Sequence, residues 1–330
     1  MPFSISSAAI KSAVHVVTQA ASVATSRLAL VLLACFGGAH GGFAAIPAGE
    51  RQVLVNLYTA TNGGSWIDNT SWCTGACPAS GIPTFNSAGS ECTWYGITCD
   101  SSQAHVIAVA LSSNNLSGTL PSIGGLSKLA YFTVVSNGLG GALPTLGTLA
   151  DLQTFYAGYN HLSGPIPSLS GLTNLGDFSV QHNQLVGAVP GISGLTSLYS
   201  FNVADNLLSG SIPSVSALPN LRDFDVGGNQ LSGLIPNLSG TPGLLRIAVD
   251  RNRLSGAIVA LPANLSSAQL GFNMLSGAVP AAPASLNTPL AFASSRICPN
   301  PLATNASAGM IRVRAIAATN LPSTRIEISP

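Results

Sequence analysis

The sequence has little charge and, beyond its N-terminus, no long apolar run. Only 7% of its 330 residues are Asp, Glu, Lys or Arg, and the formal net charge at pH 7 is +1. Because nucleic-acid-binding domains carry a basic patch or stripe, this composition argues against DNA or RNA as a partner. After Ile46 the apolar residues are spread periodically, and no run approaches the roughly 20 residues that span a bilayer. Membrane contact is therefore expected only through the N-terminus.

That N-terminus differs in kind from the rest of the chain. Lys11 and Arg27 precede the apolar run LALVLLACF, and small residues follow in GGAHGGFAA. This order is typical of a secretory signal, so residues 1–45 are predicted to be a signal peptide and leader. An alternative is a bacterial lipoprotein, because LLAC resembles a lipobox and would leave Cys35 acylated. The protein is thus predicted to be secreted or, alternatively, lipid-anchored at the cell surface.

Cysteines are few, and most of them are clustered. The sequence has six, and the four that lie close together in the exported part are Cys73, Cys77, Cys92 and Cys99. In an oxidising compartment these four are expected to form two disulfides, and their spacing leaves three connectivities open. Zinc binding is the alternative, but C-x3-C with C-x6-C lacks the usual ligand spacing. Neither a metal nor a cofactor is predicted.

A short segment recurs along the chain. NQLSGLIPNLSG has close or degraded copies that begin at Asn114, Asn137, Asn160, Asn183, Asn206, Asn229, Asn252 and Asn273. The step between copies is constant as far as Asn252, and it is slightly shorter for the last copy. A fixed period of roughly 20–29 residues indicates a stacked solenoid, in which each repeat buries its apolar face only against its neighbours.

Each repeat is predicted to contain a short strand followed by a turn. In one of them Phe224 and Val226 alternate with Asp223 and Asp225, which is typical of a half-buried strand. Stacking places equivalent residues about 4.8 Å apart and joins the strands into a parallel sheet. The repeated Asn is expected to satisfy backbone groups that the turn leaves unpaired. Two interior ladders follow, one of Phe132, Phe155, Phe178, Phe201, Phe224 and Ile247, the other of Val134, Ala157, Val180, Val203, Val226 and Val249.

The repeat pattern resembles the plant-type class of leucine-rich repeats. Its consensus, L-x-x-L-x-x-L-x-L-x-x-N-x-L-S-G-x-I-P, covers about Val106 to Pro280 in eight repeats. The resemblance implies an α/β-type repeat solenoid, a right-handed horseshoe with a parallel β-sheet on its concave side. We accordingly divide the chain into a cap at 46–104, repeats at 105–287, and a C-terminal cap remnant and tail at 288–330.

The segments on the N-terminal side of the repeats carry the resemblance further. GERQVLVNLYTATNGGSW and ECTWYGITCD look like the N-terminal cap of extracellular proteins in this class, with an amphipathic helix around Glu50 to Thr59. The matching C-x-W-x-G-x-x-C element implies a disulfide between Cys92 and Cys99. We predict the second disulfide between Cys73 and Cys77.

Candidate binding residues are expected on the concave face, where packing does not dictate the residue type. A tyrosine cluster, an acidic centre and a basic end follow one another there, and Tyr and Arg are enriched at binding hot spots. The candidates are Tyr131, Tyr156, Tyr159, Asp177, His182, Asn202, Asp205, Asp223, Asp225, Arg246, Arg251 and Arg253.

Two catalytic interpretations are weaker. His182 and Asp205 are laterally adjacent by register and Ser179 is close in sequence, which invites a hydrolase hypothesis. Asp223 and Asp225 are a carboxylate pair of the kind that glycosidases use. A flat sheet face offers no enclosed pocket or oxyanion site, so no enzymatic activity is predicted.

The sequence therefore predicts an exported, non-enzymatic binding module that recognises a protein or peptide. The resemblance to receptor ectodomains and polygalacturonase-inhibitor proteins suggests roles in recognition or defence. The alternative is a polysaccharide-binding or enzyme-inhibiting cell-wall protein, in which exposed tyrosines would stack on sugar rings. A surface solenoid without a specific ligand is a third interpretation.

Overall fold

The computed structural model describes residues 45–277, 280–281 and 283–286. All of the predicted leader except Ala45, including Cys35, and the predicted C-terminal region with Cys298 lie outside the described residues. Within them the chain begins with helix α1 (Ala48–Ala60) and continues with short 3-10 turns at Gly63–Ser65 and Glu91–Thr93. The strands, in chain order, are β1 (Ile97–Cys99), β2 (Val106–Ala110), β3 (Ser117–Thr119), β4 (Tyr131–Thr133), β5 (Gly138–Ala142), β6 (Thr154–Tyr156), β7 (His161–Pro165), β8 (Asp177–Ser179), β9 (Gln184–Ala188), β10 (Ser200–Asn202), β11 (Leu207–Ser211), β12 (Asp223–Asp225), β13 (Gln230–Gly233), β14 (Arg246–Ala248), β15 (Arg253–Ala257), β16 (Ser267–Gln269) and β17 (Met274–Ser276).

These strands form two sheets that run along the stack. The first has nine strands in the order β1-β2-β4-β6-β8-β10-β12-β14-β16, and β1 is antiparallel to β2 while the other neighbours are parallel. The second has eight parallel strands, from β3 to β17. Phe201 pairs with Phe224, one full repeat on, and Arg246 pairs with Ser267 across the shortened repeat, as the sequence intervals predict. The fold is a parallel-sheet solenoid of about eight turns, which confirms the predicted class.

The ladder of phenylalanines forms the centre of the interior. Phe132, Phe155, Phe178, Phe201 and Phe224 are at most 1% exposed. Their rings stack with neighbouring centroids 5.3–5.8 Å apart and planes within 9–17° of each other. The parallel ladder from Val134 to Val249 is completely buried. Both ladders are therefore core, as predicted, and neither is available to a ligand.

The eight-stranded sheet was not predicted from the sequence. It is made by the LSG part of each repeat, whose leucines, such as Leu162 and Leu208, are completely buried. The glycines of this segment have φ between +71 and +92°, a conformation that favours glycine. Glycine is depleted in strands. A three- to five-residue strand with glycine inside it therefore gives no strand signal in the sequence.

The repeated asparagine connects each turn of the solenoid to the one before it. The Asn160 Oδ1 accepts the Leu139 N–H at 3.0 Å, and its Nδ2 donates to three carbonyls, of Val134, Ala157 and Gly158, at 3.0–3.2 Å. Equivalent bonds recur from Asn137 to Asn273. The predicted role of this column, which we call the Asn ladder, is confirmed.

The N-terminal cap covers the first turn of the solenoid with aromatic side chains. Trp72 and Trp94 are buried with ring centroids 4.6 Å apart, and Arg51 lies over the Trp94 ring while it pairs with the buried Glu91. Disulfides join Cys73 to Cys77 and Cys92 to Cys99, the predicted pairing. Within the described ranges, every helix is too short or too polar to span a bilayer.

Candidate functional site

The outward side chains of β4 to β14 in the nine-stranded sheet form a continuous surface, which we call the polar face. The sequence predicts this side to be concave. Register pairs Tyr131 with Thr154, Thr154 with Asp177, Asp177 with Ser200, Ser200 with Asp223, and Asp223 with Arg246. A second column runs through Tyr156, Ser179, Asn202 and Asp225. The structure thus brings the predicted columns together in their predicted order.

Arg246 neutralises part of the acidic centre that the sequence predicts. Its Nε lies 2.5 Å from Asp223 Oδ1, and its Nη2 lies 3.6 Å from Asp225 Oδ2. Burial raises the pKa of Asp225 to about 6, and the nearby Arg246 opposes that rise. The acidic centre and the basic end are therefore not separate zones, because the arginine reaches back across the strand boundary to both carboxylates.

A second charged group lies where the strands of the polar face end. Arg251 contacts Asp205 and Asp250, each at 3.1 Å, and His182 Nε2 lies 3.4 Å from the other oxygen of Asp205. The His182 ring stacks on the Tyr159 ring with centroids 4.3 Å apart. The group is half-exposed and combines a stacked aromatic pair with a row of alternating charges.

The backbone at this column is left-handed. Tyr159, His182, Asp205 and Arg251 have φ between +51 and +57°, whereas Gly228 fills the same position in one repeat at +63°. Left-handed backbone at a non-glycine residue costs roughly 1–3 kcal/mol, least for Asp and His. The fold alone would accept glycine throughout. The local backbone therefore does not select the residue type at this column, where Ser136 and Phe272 are also left-handed.

Asp177 lies at the centre of a cluster of hydroxyl groups. The Tyr156 hydroxyl donates to its Oδ2 at 2.5 Å, and the nearby side chains of Ser200 and Tyr199 also favour the ionised form of the carboxylate. Burial raises the pKa of Asp177 to about 6, against the effect of these three side chains. The rings of Tyr131 and Tyr156 meet edge to face, with centroids 6.2 Å apart.

Two predicted site residues have positions or contacts that differ from the expectation. Arg253 does not lie on the polar face, because the turn around Asn252 carries the chain into the other sheet, where Arg253 begins β15 and contacts Gln230. Asn202 lies on the polar face, but its Oδ1 accepts the Ala204 N–H at 3.0 Å and so stabilises its own turn.

The contacts of the polar face differ from two further expectations, the exposure of the tyrosines and the Ser179–His182 contact that a hydrolase would need. The three predicted tyrosines are half-buried rather than exposed, since they pack against one another or against His182. The Ser179 hydroxyl donates to Gln181, on its own strand end, and not to the His182 ring.

Two residues of this surface were missed at the level of sequence. Tyr199 precedes β10 and reaches Asp177, and a side chain at Gly176 would collide with the Tyr199 ring, since an added Cβ would lie 2.8 Å from it. Asp250 was missed because it follows the strand and contacts Arg251 around the turn. The sequence offered one signal for the position of Tyr199, because Gly176 occupies the equivalent position one repeat earlier.

Within the described ranges, no cluster of three or more His, Cys, Asp or Glu side chains has the geometry of a metal site. No protein-family model matches this sequence. Solved structures with a similar fold include PEPR1–AtPEP1, with a TM-score of 0.57 and 24% identity over 75% of this chain and 38% of that one. A plant ice-binding protein gives a TM-score of 0.53 and 23% identity over 76% and 86% of the two chains.

A TDR receptor structure is 32% identical over 52% of this chain, with a TM-score of 0.49. The chain spans about a third of the length of that receptor chain, 31%. The two structures with TM-scores above 0.5 show that this chain shares their fold.

Proposed function

We propose that this chain is an exported, non-enzymatic binding module that recognises a protein or peptide through the polar face. The observation that carries the proposal is the contrast between the two sides of the nine-stranded sheet. The inner side carries apolar residues, mostly Phe and Val, from turn to turn, whereas the outer side carries a polar or aromatic residue that varies between repeats. Repetition on one side and variation on the other is the pattern expected when only the inner side is dictated by packing.

The chemistry of the polar face supports the same proposal. It combines tyrosine rings, two arginines and several carboxylates on rigid strands, and Tyr and Arg are the residue types that dominate binding energy at protein interfaces. In the same fold, PEPR1 is found in a structure with AtPEP1. Export is supported by the two disulfides, which form and persist in oxidising compartments.

The alternative of a polysaccharide-binding wall protein depends on tyrosine rings that present an open face to sugars. In the structure Tyr159 stacks on His182, and Tyr131 and Tyr156 meet edge to face. These contacts occupy ring surface that the alternative needs, so the polypeptide ligand is the stronger proposal.

A matched pair of arginine variants tests the proposal. The purified chain is immobilised and exposed to extracellular fractions of its source, retained polypeptides are identified by mass spectrometry, and their affinities are measured for Arg246→Ala and Arg253→Ala. Arg246 lies on the polar face and Arg253 on the other sheet, so only the first variant is expected to lose binding, by about tenfold or more. Equal affinities for both variants would place the binding surface elsewhere.

A further inference from the structure

Asp177 differs from the other carboxylates of the polar face in its partners. Four others each lie within 3.6 Å of an arginine nitrogen: Asp205 and Asp250 contact Arg251, and Asp223 and Asp225 contact Arg246. None of the ion pairs among the described residues includes Asp177, which accepts a hydrogen bond from the neutral Tyr156 hydroxyl and lies near the hydroxyls of Tyr199 and Ser200. The protein itself therefore supplies no cation to this carboxylate.

The surroundings of Asp177 are fixed by specific neighbouring residues. Gly176 has no side chain, and this allows the Tyr199 ring to lie against the neighbouring strand, where an added Cβ would be 2.8 Å from the ring. Tyr131 and Tyr156 form the opposite wall. The result is a half-buried carboxylate, held by the Tyr156 hydroxyl and bordered by aromatic rings on both sides.

Folding does not require a charge at this position. Burial disfavours the ionised form of Asp177, and an asparagine amide oxygen could also accept a hydrogen bond from Tyr156. An ionised side chain that weakens the fold at neutral pH, in a surface not dictated by packing, is typical of a binding site. Its missing counterion is then expected to come from the ligand.

We propose that Asp177, with the rings of Tyr131, Tyr156 and Tyr199, is a subsite for a primary ammonium group, either a lysine side chain or an amino terminus. The proposal rests on the proposed function, of which it specifies one ligand contact. The Tyr156 hydroxyl already occupies one oxygen of the carboxylate, Oδ2, and the hydroxyls of Tyr199 and Ser200 lie nearby. A carboxylate with one oxygen occupied suits an ammonium, which acts as a point charge, better than a guanidinium, which binds carboxylates through two parallel bonds. The aromatic walls add cation–π attraction.

Small amines serve as probes of this subsite in the full-length chain. The probes are Nα-acetyl-lysine amide for the side-chain source, glycine amide for the amino-terminal source, Nα-acetyl-arginine amide, and Nα,Nε-diacetyl-lysine amide as the neutral control. Binding is followed by NMR through the backbone amides around Asp177. One of the two ammonium probes is expected to bind at least about tenfold more tightly than the neutral control, because a desolvated charge pair is lost in the latter.

Two variants, each with one carboxylate removed, assign the contact. Asp177→Asn is expected to weaken binding of the ammonium probe by about tenfold. Asp151 is an exposed carboxylate paired with Lys128, and Asp151→Asn is expected to leave that binding unchanged. Thermal melting of both variants shows that each is folded. Undiminished binding to folded Asp177→Asn, or equal binding of the neutral control, would overturn the proposal.

The pH dependence of ammonium binding is a further test, because a purely structural role of Asp177 would not produce it. Binding of the ammonium probe is expected to weaken as the pH falls through about 6, where Asp177 takes up a proton. The titratable and charged groups that face Asp177 are Tyr131 on β4, Tyr156 on β6, Tyr199 before β10 and Asp223 on β12, with Arg246 of β14 paired to Asp223. The pKa values of Tyr131 and Tyr156 are raised by burial, so neither phenol ionises in this range.

The outcomes separate this subsite from the general proposal. A retained polypeptide that depends on Arg246 but binds Asp177→Asn normally would refute the subsite and leave the polar face as the binding surface. Ammonium binding at Asp177, with no polypeptide dependent on the polar face, would support the subsite and refute the proposed function. Stronger binding of the arginine probe than of both ammonium probes would refute the choice of cation.

Discussion

Asn206→Ala removes one side chain from the Asn ladder and tests how neighbouring repeats are held together. The Asn206 Oδ1 accepts the Leu185 N–H at 3.0 Å, and its Nδ2 donates to the carbonyls of Val180, Val203 and Ala204 at 3.0–3.2 Å. All four bonds connect buried groups. The substitution therefore changes hydrogen bonding within the core without adding a charge or a larger side chain.

The four bonds are not equally costly to lose, because each of the three carbonyls keeps a second donor. Those donors are Asn183 for Val180, Asn229 for Val203 and the His182 N–H for Ala204. The Leu185 N–H loses the oxygen that it bonds and is left in the core. A buried donor without a partner costs about 1–3 kcal/mol, and the weakened carbonyl bonds add a smaller amount. The expected loss in the free energy of unfolding is about 2–4 kcal/mol.

Hydrogen exchange at the Leu185 amide, together with denaturant unfolding followed by circular dichroism, measures this effect. Asn220→Ala is the matched control, since Asn220 is exposed and donates to a single carbonyl, of Thr196, at 2.9 Å. The control is expected to lose less than about 1 kcal/mol. Unchanged protection of the Leu185 amide, with a stability loss no larger than that of the control, would refute the assigned role of the Asn ladder.

Three further substitutions test the core and the polar face. Phe201→Ala removes one ring of the buried ladder and is expected to cost about 3–5 kcal/mol; a melting curve like that of the wild type would contradict an interior position. Asp223→Ala breaks a half-exposed pair with Arg246 and is expected to change the unfolding free energy by only about 0–1 kcal/mol. The folded pKa of Asp177, about 6, exceeds the unfolded value of about 3.9, so its contribution favours folding at low pH and is lost as the pH rises through about 6. Asp177→Asn is expected to make the loss of stability with rising pH smaller, and thermal melting between pH 4 and 7 measures this.

The inner half of the fold was predictable because its pattern depends only on spacing. A constant interval between repeats fixes which side chains are neighbours, so the Phe ladder and the pairing of Asp223 with Arg246 follow from counting. The same count places the Asn ladder. The two ladders each use nearly one residue type at one position of successive repeats, which makes them visible in the sequence.

The outer features were less predictable because they depend on side-chain length and rotamer. Register places Arg246 beside Asp223, but only the structure shows that its guanidinium also reaches Asp225. Tyr199 was overlooked because it lies one residue before the column, and its contact with Asp177 depends on the space left by Gly176. Arg253 was misplaced because a turn of a few residues decides which sheet it enters.

Since most turns of the solenoid bond to their neighbours through equivalent atoms one repeat apart, the gene can change length by whole repeats. Unequal recombination that removes or duplicates one such unit would rejoin both sheets, the Phe ladder and the Asn ladder in register. The shortened repeat before Asn273 keeps the same register, so a change in length within a turn can also be absorbed when the strands still pair. Only the polar face would acquire new neighbours from such an exchange, so its side chains can diversify while the fold is inherited unchanged.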